Sequence, residues 1–327
     1  MDKIKKSSVV FTFAALLTTL TASADDLEIY DRALSKPKIL FVLDASGSMG
    51  VRDGGPTSRM TRMKAALATL LTNIRGVDVG LMKYTSRGIE LIHPVVDAET
   101  NQASLLAANS TLVAGGGTPT VAAMLEAQRY LSGGPPYRGI EPNGLPNYQQ
   151  PATNQCESNH IVLLTDGRPT RDTGVVSDLA PMIGSCTPML SDRGTCGAEL
   201  ASHMASVDQF PAMPGDNRIT LHSIGFNITS NWLESLATAG GGIYRNAASS
   251  QELLEVFRSI VNSVQLTSTA AAPTVSVNAF NQSRHRNELY YSLFQPGAFP
   301  RWEGNIKKYR LVPCRHLGVP PRCRGPS

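Results

Sequence analysis

Two stretches of this 327-residue sequence share one grammar, and together they constrain the fold more than any other feature. KILFVLD (38–44) and NHIVLLTDG (159–167) are continuous apolar runs, each ending in an aspartate and a turn. A strand with no polar alternation has to be covered on both faces, which is the situation of a parallel sheet packed between helices. RITLHSIGF (218–226) reads as a third such strand. VDVGLMKY (77–84) adds another, and GIELIHPV a short edge strand beside it.

Helical patterns fall between the strands. From about Ser58 to Ile74, Met60, Met63, Leu67, Leu70, Leu71 and Ile74 share one stripe. Further helices are expected over about 99–112 and 119–131 and in SNWLESLATAG, where Gly240 stops the chain. GGIYRNA reads as a last strand and SSQELLEVFRSIVNSV (249–264) as a closing amphipathic helix. This alternation predicts an α/β fold with a doubly wound, mostly parallel sheet. Two segments interrupt it. Residues 132–157, dense in Pro, Gly and Asn, read as a long surface loop, and 184–197, with Cys186 and Cys196, as a loop that a disulfide could pin. After QLTSTAAAPT (265–274) the style changes to the alternating TVSVNAF and ELYYSLFQ, the start of a β-rich domain too short to close a core alone.

Charge and targeting signals narrow the setting. Lys3, Lys5 and Lys6 precede an apolar run from about Val9 to Leu20 and a small-residue site at Ala22-Ser23-Ala24, the pattern of a secretory signal peptide. The apolar run is too short to cross about 30 Å of hydrocarbon, and no later segment reads as a transmembrane span. The overall charge of +4 comes from the two ends: residues 1–24 carry +2 and residues 301–327 carry +6, which leaves 25–300 at −4. That body offers no footprint for nucleic acid. An exported chain with five cysteines can form disulfides. Cys186–Cys196 and Cys314–Cys323 are the shortest loops and leave Cys156 odd, but spacing does not fix the connectivity.

The chemistry gathers at the strand ends. In an open α/β sheet, ligands bind outside the carboxyl ends of the strands. Asp44, Ser46 and Ser48 follow the first buried strand, Asp166 follows the second, and GGGTPT (115–120) brings Thr118 in just before a helix. Two carboxylates and three hydroxyls form an all-oxygen set, suited to one hard divalent cation: Mg²⁺ first, with Mn²⁺ and Ca²⁺ as alternatives. Held largely by hydroxyls and water, such an ion would keep a position for an anionic oxygen of a protein partner. Each piece has a plainer reading. Thr118-Pro119 also resembles a helix N-cap followed by proline, and Asp166-Gly167 an ordinary turn. A serine hydrolase would need a base near Ser46 or Ser48. His160 opens its strand at the opposite rim, His222 lies mid-strand, and no Gly-x-Ser-x-Gly elbow is present. The chain is therefore expected not to be an enzyme.

Asp44-Ala-Ser46-Gly-Ser48, with Thr118 and Asp166-Gly167, resembles the metal-ion-dependent adhesion site of von Willebrand factor A domains, over about residues 37–265. The resemblance implies direct contact of Ser46, Ser48 and Thr118 with the ion, with Asp44 and Asp166 acting directly or through water. It also implies that the helix at 249–264 can shift when ligand engages, a lever for mechanosensing. Residues 290–311 (YYSLFQPGAFPRWEGNIKKYRL) resemble the segment that joins the A-type domain to the β-propeller in PilY/PilC-type proteins of type IV pili, through Arg301, Trp302, Gly304, Asn305, Lys307 and Tyr309. That resemblance implies export to the periplasm, outer membrane or pilus tip. The implied partners are a minor pilin or a host surface receptor, bound for adhesion or, alternatively, for pilus assembly. The expected organisation is a signal peptide at 1–24, the A-type domain at 37–265, a linker at 266–273, the entrance to a β-rich region at 274–311, and an irregular tail at 312–327. That tail departs from the family where the propeller should begin, and a truncated or frameshifted product is expected.

Overall fold

A computed structural model describes residues 36–266, except 54–55, 154–156, 171, 173, 185, 187–193, 214 and 216, and the strand backbones 270–271, 288–295 and 303–310. The signal-like segment, TVSVNAF, the tail, and Cys156, Cys314 and Cys323 lie outside the described residues.

Six strands form the main sheet: β1 (Lys38–Asp44), β2 (Asp78–Thr85), β3 (Gly88–Asp97), β4 (Asn159–Thr165), β5 (Ile219–Phe226) and β6 (Gly241–Ala247). Their order is β3-β2-β1-β4-β5-β6. Every neighbouring pair is parallel except β2–β3, so the edge strand expected beside β2 is antiparallel. All seven residues of β1 and of β4 are buried, as their unbroken apolar runs require.

Helices cover both faces. Helix α1 (Arg59–Asn73) starts where the Ser58 hydroxyl accepts the Thr61 N–H, and it buries Met60, Met63, Leu67, Leu70 and Leu71. With α2 (Gln102–Ser110) and α7 (Ser250–Leu266) it packs on the face that carries Ile39, Phe41 and Leu43 of β1. Phe41 meets Phe257 of α7 edge-to-face at 5.4 Å. The opposite face, with Leu40 and Val42, is covered by α3 (Thr120–Ser132), α4 (Val175–Ile183), α5 (Gly197–Ser206) and α6 (Asn231–Ala239). Helices α4 and α5 flank the cysteine loop, where the sequence pattern predicts no helix. A disulfide joins Cys186 and Cys196 across that loop.

The segment after α3 is more than a surface loop. The buried Glu126 carboxylate on α3 accepts the backbone N–H groups of Tyr137, Arg138 and Gly139 and the Tyr148 hydroxyl. The segment thus folds back over the outer side of α3, which explains why α3 is buried nearly all round. Beyond α7, which runs to Leu266, strands β7 (Ala270–Ala271), β8 (Glu288–Gln295) and β9 (Glu303–Arg310) form a separate antiparallel sheet. Strand β7 falls within 266–273, the stretch expected to be a linker.

Candidate metal-binding site

The strand order runs outward in opposite directions from β1 and β4, so the carboxyl ends of these two strands flank the switch point where a crevice opens. Asp44 closes β1 and Asp166 follows β4. Past Asp44 the chain makes one 3-10 turn (Gly47–Gly50), which brings Ser46 and Ser48 back over the strand end.

The side chains converge through hydrogen bonds. The Ser48 hydroxyl donates to Asp166 Oδ1 at 2.6 Å, across 118 residues of sequence, and lies 3.0 Å from Ser46 Oγ. Asp44 is fully buried; its Oδ1 accepts the Ser46 N–H at 2.7 Å and its Oδ2 accepts the Thr165 hydroxyl at 2.6 Å. Burial pushes the Asp44 carboxyl up to about 6, against the hydrogen bonds from Ser46 and Thr165, and the nearby charge of Asp166 adds to the rise. A buried carboxylate so placed gains from a cation beside it.

Thr118 arrives on the glycine-rich loop. Gly47 N–H donates to Gly116 O at 2.9 Å, and Gly115 N–H to Ala45 O at 2.8 Å, so the loop is stitched to the Asp44 turn on both sides of Ser46. Gly116 has φ +83°, and a Cβ there would meet Ser86 Oγ at 2.9 Å, so the position favours glycine for both torsion and space. The Thr118 N–H donates to the Thr170 hydroxyl at 2.9 Å and its carbonyl accepts the Thr170 N–H at 3.0 Å, while its side chain makes no direct hydrogen bond to the other four residues. It does not cap α3, which begins at Thr120. That role falls to Asp172, whose carboxylate accepts the N–H groups of Val121 and Ala122. The structure thus joins Asp44, Ser46, Ser48 and Asp166 in one hydrogen-bonded corner and holds Thr118 on the adjoining loop.

Oxygen geometry suits a small hard cation. Octahedral Mg²⁺ with ligands at about 2.1 Å places neighbouring oxygens about 3 Å apart, close to the Ser46–Ser48 separation of 3.0 Å. No group of three or more His, Cys, Asp or Glu side chains among the described residues is placed to share an ion, so any ion here would depend on hydroxyls.

Arg59 joins the corner, a residue that the sequence pattern does not single out. From the first residue of α1 its guanidinium donates to Asp166 Oδ2 at 2.8 Å and pairs with Asp53, which also binds Arg62 and Asn227. Arg62 continues to the Ala248 carbonyl at 2.8 Å, just before α7. These ion pairs pull the Asp53 carboxyl down to about 2, Arg59 most of all. No local pattern connects residues 59 and 166, so sequence alone held no signal for this contact. Thr165 could have been noticed as a hydroxyl at the strand end.

Residues 39–168 match the family model described as von Willebrand factor type A domain. That match, with a mostly parallel six-stranded sheet flanked by helices, supports a von Willebrand factor A domain of Rossmann-like α/β fold in this chain. A comparison with curated proteins finds no match. Solved structures to which this chain is similar include the conserved hypothetical protein BatB of Bacteroides thetaiotaomicron, 15% identical, covering 69% of this chain and 97% of its own, with TM-score 0.45. The vWF domain of the type V pili tip protein Mfa5 of Porphyromonas gingivalis is 14% identical, covering 71% and 96%, also with TM-score 0.45. A von Willebrand factor type A protein of Catenulispora acidiphila is 17% identical, covering 84% and 66%, with TM-score 0.44. These likenesses are too distant to bear on function. No helix among the described residues is long and apolar enough to cross a membrane.

Proposed function

We propose that this protein is an exported binding module of type IV pili that grips a protein partner through one divalent cation, Mg²⁺ in the first place. The observation that carries the reading is the meeting of Asp44, Ser46, Ser48 and Asp166 at one corner of the sheet rim. Ser46 and Ser48 would hold the ion directly, with Thr118 from the adjoining loop, while Asp44 and Asp166 supply charge directly or through water. When bound, the cation supplies a coordination position for one carboxylate oxygen of the partner. The chain's own residues do the rest. Thr165 and the Ser46 N–H fix the Asp44 carboxylate, and Arg59 fixes Asp166. Nothing in this arrangement calls for turnover, and we assign it binding, not catalysis.

The pilus assignment and the cell-surface location rest on the segment at 290–311 and on the signal-like N-terminus. An Asp44→Ala strain tests the assignment through pilus number and surface attachment. Normal fibres with weaker attachment are expected. Loss of fibres would move the role to pilus assembly, and wild-type fibres with wild-type attachment would refute the reading.

A further inference from the structure

On the far side of the glycine-rich loop lies a cleft of about 540 Å³ lined by Thr85, Ser86, Arg87, Ile89, Pro119 and Arg138. Among the described residues its lining holds two arginines and two hydroxyls but no carboxylate, although residues 25–300 carry a net −4 and Asp172 lies close enough to interact with the charge of Arg138. Both arginines are exposed. Arg87 sits on the tight β2–β3 turn, where its N–H donates to Thr85 Oγ1 at 3.0 Å. Arg138 is delivered by the Glu126 carboxylate, which takes the N–H groups on either side of it and its own, and its guanidinium lies 5.0 Å over the Tyr137 ring. Both arginines thus stand on backbone held by hydrogen bonds at the wall of one cleft.

This pocket shares a wall with the proposed metal corner. Ser86 exchanges hydrogen bonds with Gly117, its N–H donating to Gly117 O and its Oγ accepting the Gly117 N–H. One residue back, Gly116 O accepts the Gly47 N–H between Ser46 and Ser48. Three chain segments thus lie side by side, and two such spacings come to roughly 10 Å. An extended peptide covers that distance in about three residues.

We propose that the partner presents an acidic peptide segment with two carboxylates two to three residues apart, the second of which is taken by Arg87 and Arg138. A guanidinium group suits a carboxylate because it offers a planar fork of donors, and two line this cleft. The inference rests on the metal reading of the Asp44 corner, which would take the first carboxylate, and it goes further by naming the chemistry of the ligand.

The test is calorimetric titration of the full chain in Mg²⁺ at low salt with two blocked hexapeptides, Gly-Asp-Gly-Gly-Glu-Gly and the same peptide with Gln in place of Glu. Charge-assisted hydrogen bonds predict about tenfold tighter binding of the Glu peptide. Arg87→Gln with Arg138→Gln should abolish the difference and leave the Gln peptide unaffected. Arg87→Gln alone, on an exposed turn, should narrow it without disturbing the fold. Equal affinities in the wild type, a difference that survives the double substitution, or no binding of either peptide would overturn the proposal. So would tighter binding of inorganic phosphate than of the Glu peptide, which would point to a phosphorylated ligand instead. Chelation of Mg²⁺ separates the two readings. If Arg-dependent binding survives chelation, the basic pocket stands and the metal reading falls. If chelation abolishes binding of both peptides while the arginine substitutions change nothing, the metal reading stands and the pocket falls.

Discussion

Acidification from pH 7 to pH 5 should withdraw the stability contributed by a buried histidine pair that lies away from the rim. His160 on β4 and His222 on β5 stack with ring centroids 5.4 Å apart, His160 Nδ1 lies 3.2 Å from His222 Nε2, and both side chains are buried. The Ile243 N–H donates to His222 Nδ1 at 3.1 Å, which assigns the neutral tautomer with Nε2–H facing His160. Burial pushes His160 down to about 3, with the nearby His222 adding to the effect, and burial alone pushes His222 down to about 4. Depressed folded values mean that the unfolded chain, titrating near 6.5, binds more protons throughout the window between. The contribution of this pair to stability therefore rises with pH, opposite in sign to that of Asp44 and Asp172, whose folded carboxyls are raised to about 6. It is lost as pH falls below 6.5, and the loss levels off near 3–4, where the folded rings take up protons. Linkage gives about 2 kcal/mol per ring between pH 7 and pH 5, about 4 kcal/mol for the pair. Urea unfolding midpoints at the two pH values, for wild type and for His160→Leu with His222→Asn, measure it. The wild type should lose far more than the variant. Equal losses would refute the reasoning, as would His160 or His222 ring resonances in the folded wild type that titrate near 6.5.

Three further outcomes follow from packing. Phe257→Ala removes the edge-to-face partner of Phe41 from a fully buried position and should cost about 3–5 kcal/mol in urea unfolding. Opening the Cys186–Cys196 link by a double Cys→Ser substitution should cost about 2–3 kcal/mol, read as a lower melting temperature, because it frees a 10-residue loop in the unfolded chain. Glu126→Gln should lower stability by about 2 kcal/mol and speed tryptic cleavage at Arg138, because the carboxylate holds that segment on α3.

The strands and most of the helices could be read from the sequence because a strand buried on both faces leaves no freedom in its pattern. β1 and β4 match their apolar runs, and Gly240 ends α6 as expected. What resisted reading depends on contacts between remote residues. Segment 132–157 looked like surface because nothing local shows that Glu126 draws it back over α3. Helices α4 and α5 were obscured by the Pro, Gly and Cys residues between them, and the cap of α3 comes from Asp172, about fifty residues away. The same holds at the candidate site. Strand ends announced Asp44 and Asp166, and spacing two apart announced Ser46 and Ser48. Arg59 reaches Asp166 only through the tertiary fold.

The measurement that bears most directly on the central claim is calorimetric titration of the full chain with MgCl₂, beside Ser48→Ala. Ser48 is the side chain that joins the β1 and β4 loops, through its 2.6 Å hydrogen bond to Asp166. One Mg²⁺ per chain in the wild type, and none in a Ser48→Ala protein that melts like the wild type, is the predicted result. Absence of Mg²⁺ binding to the wild type, or undiminished binding to the variant, would contradict the account.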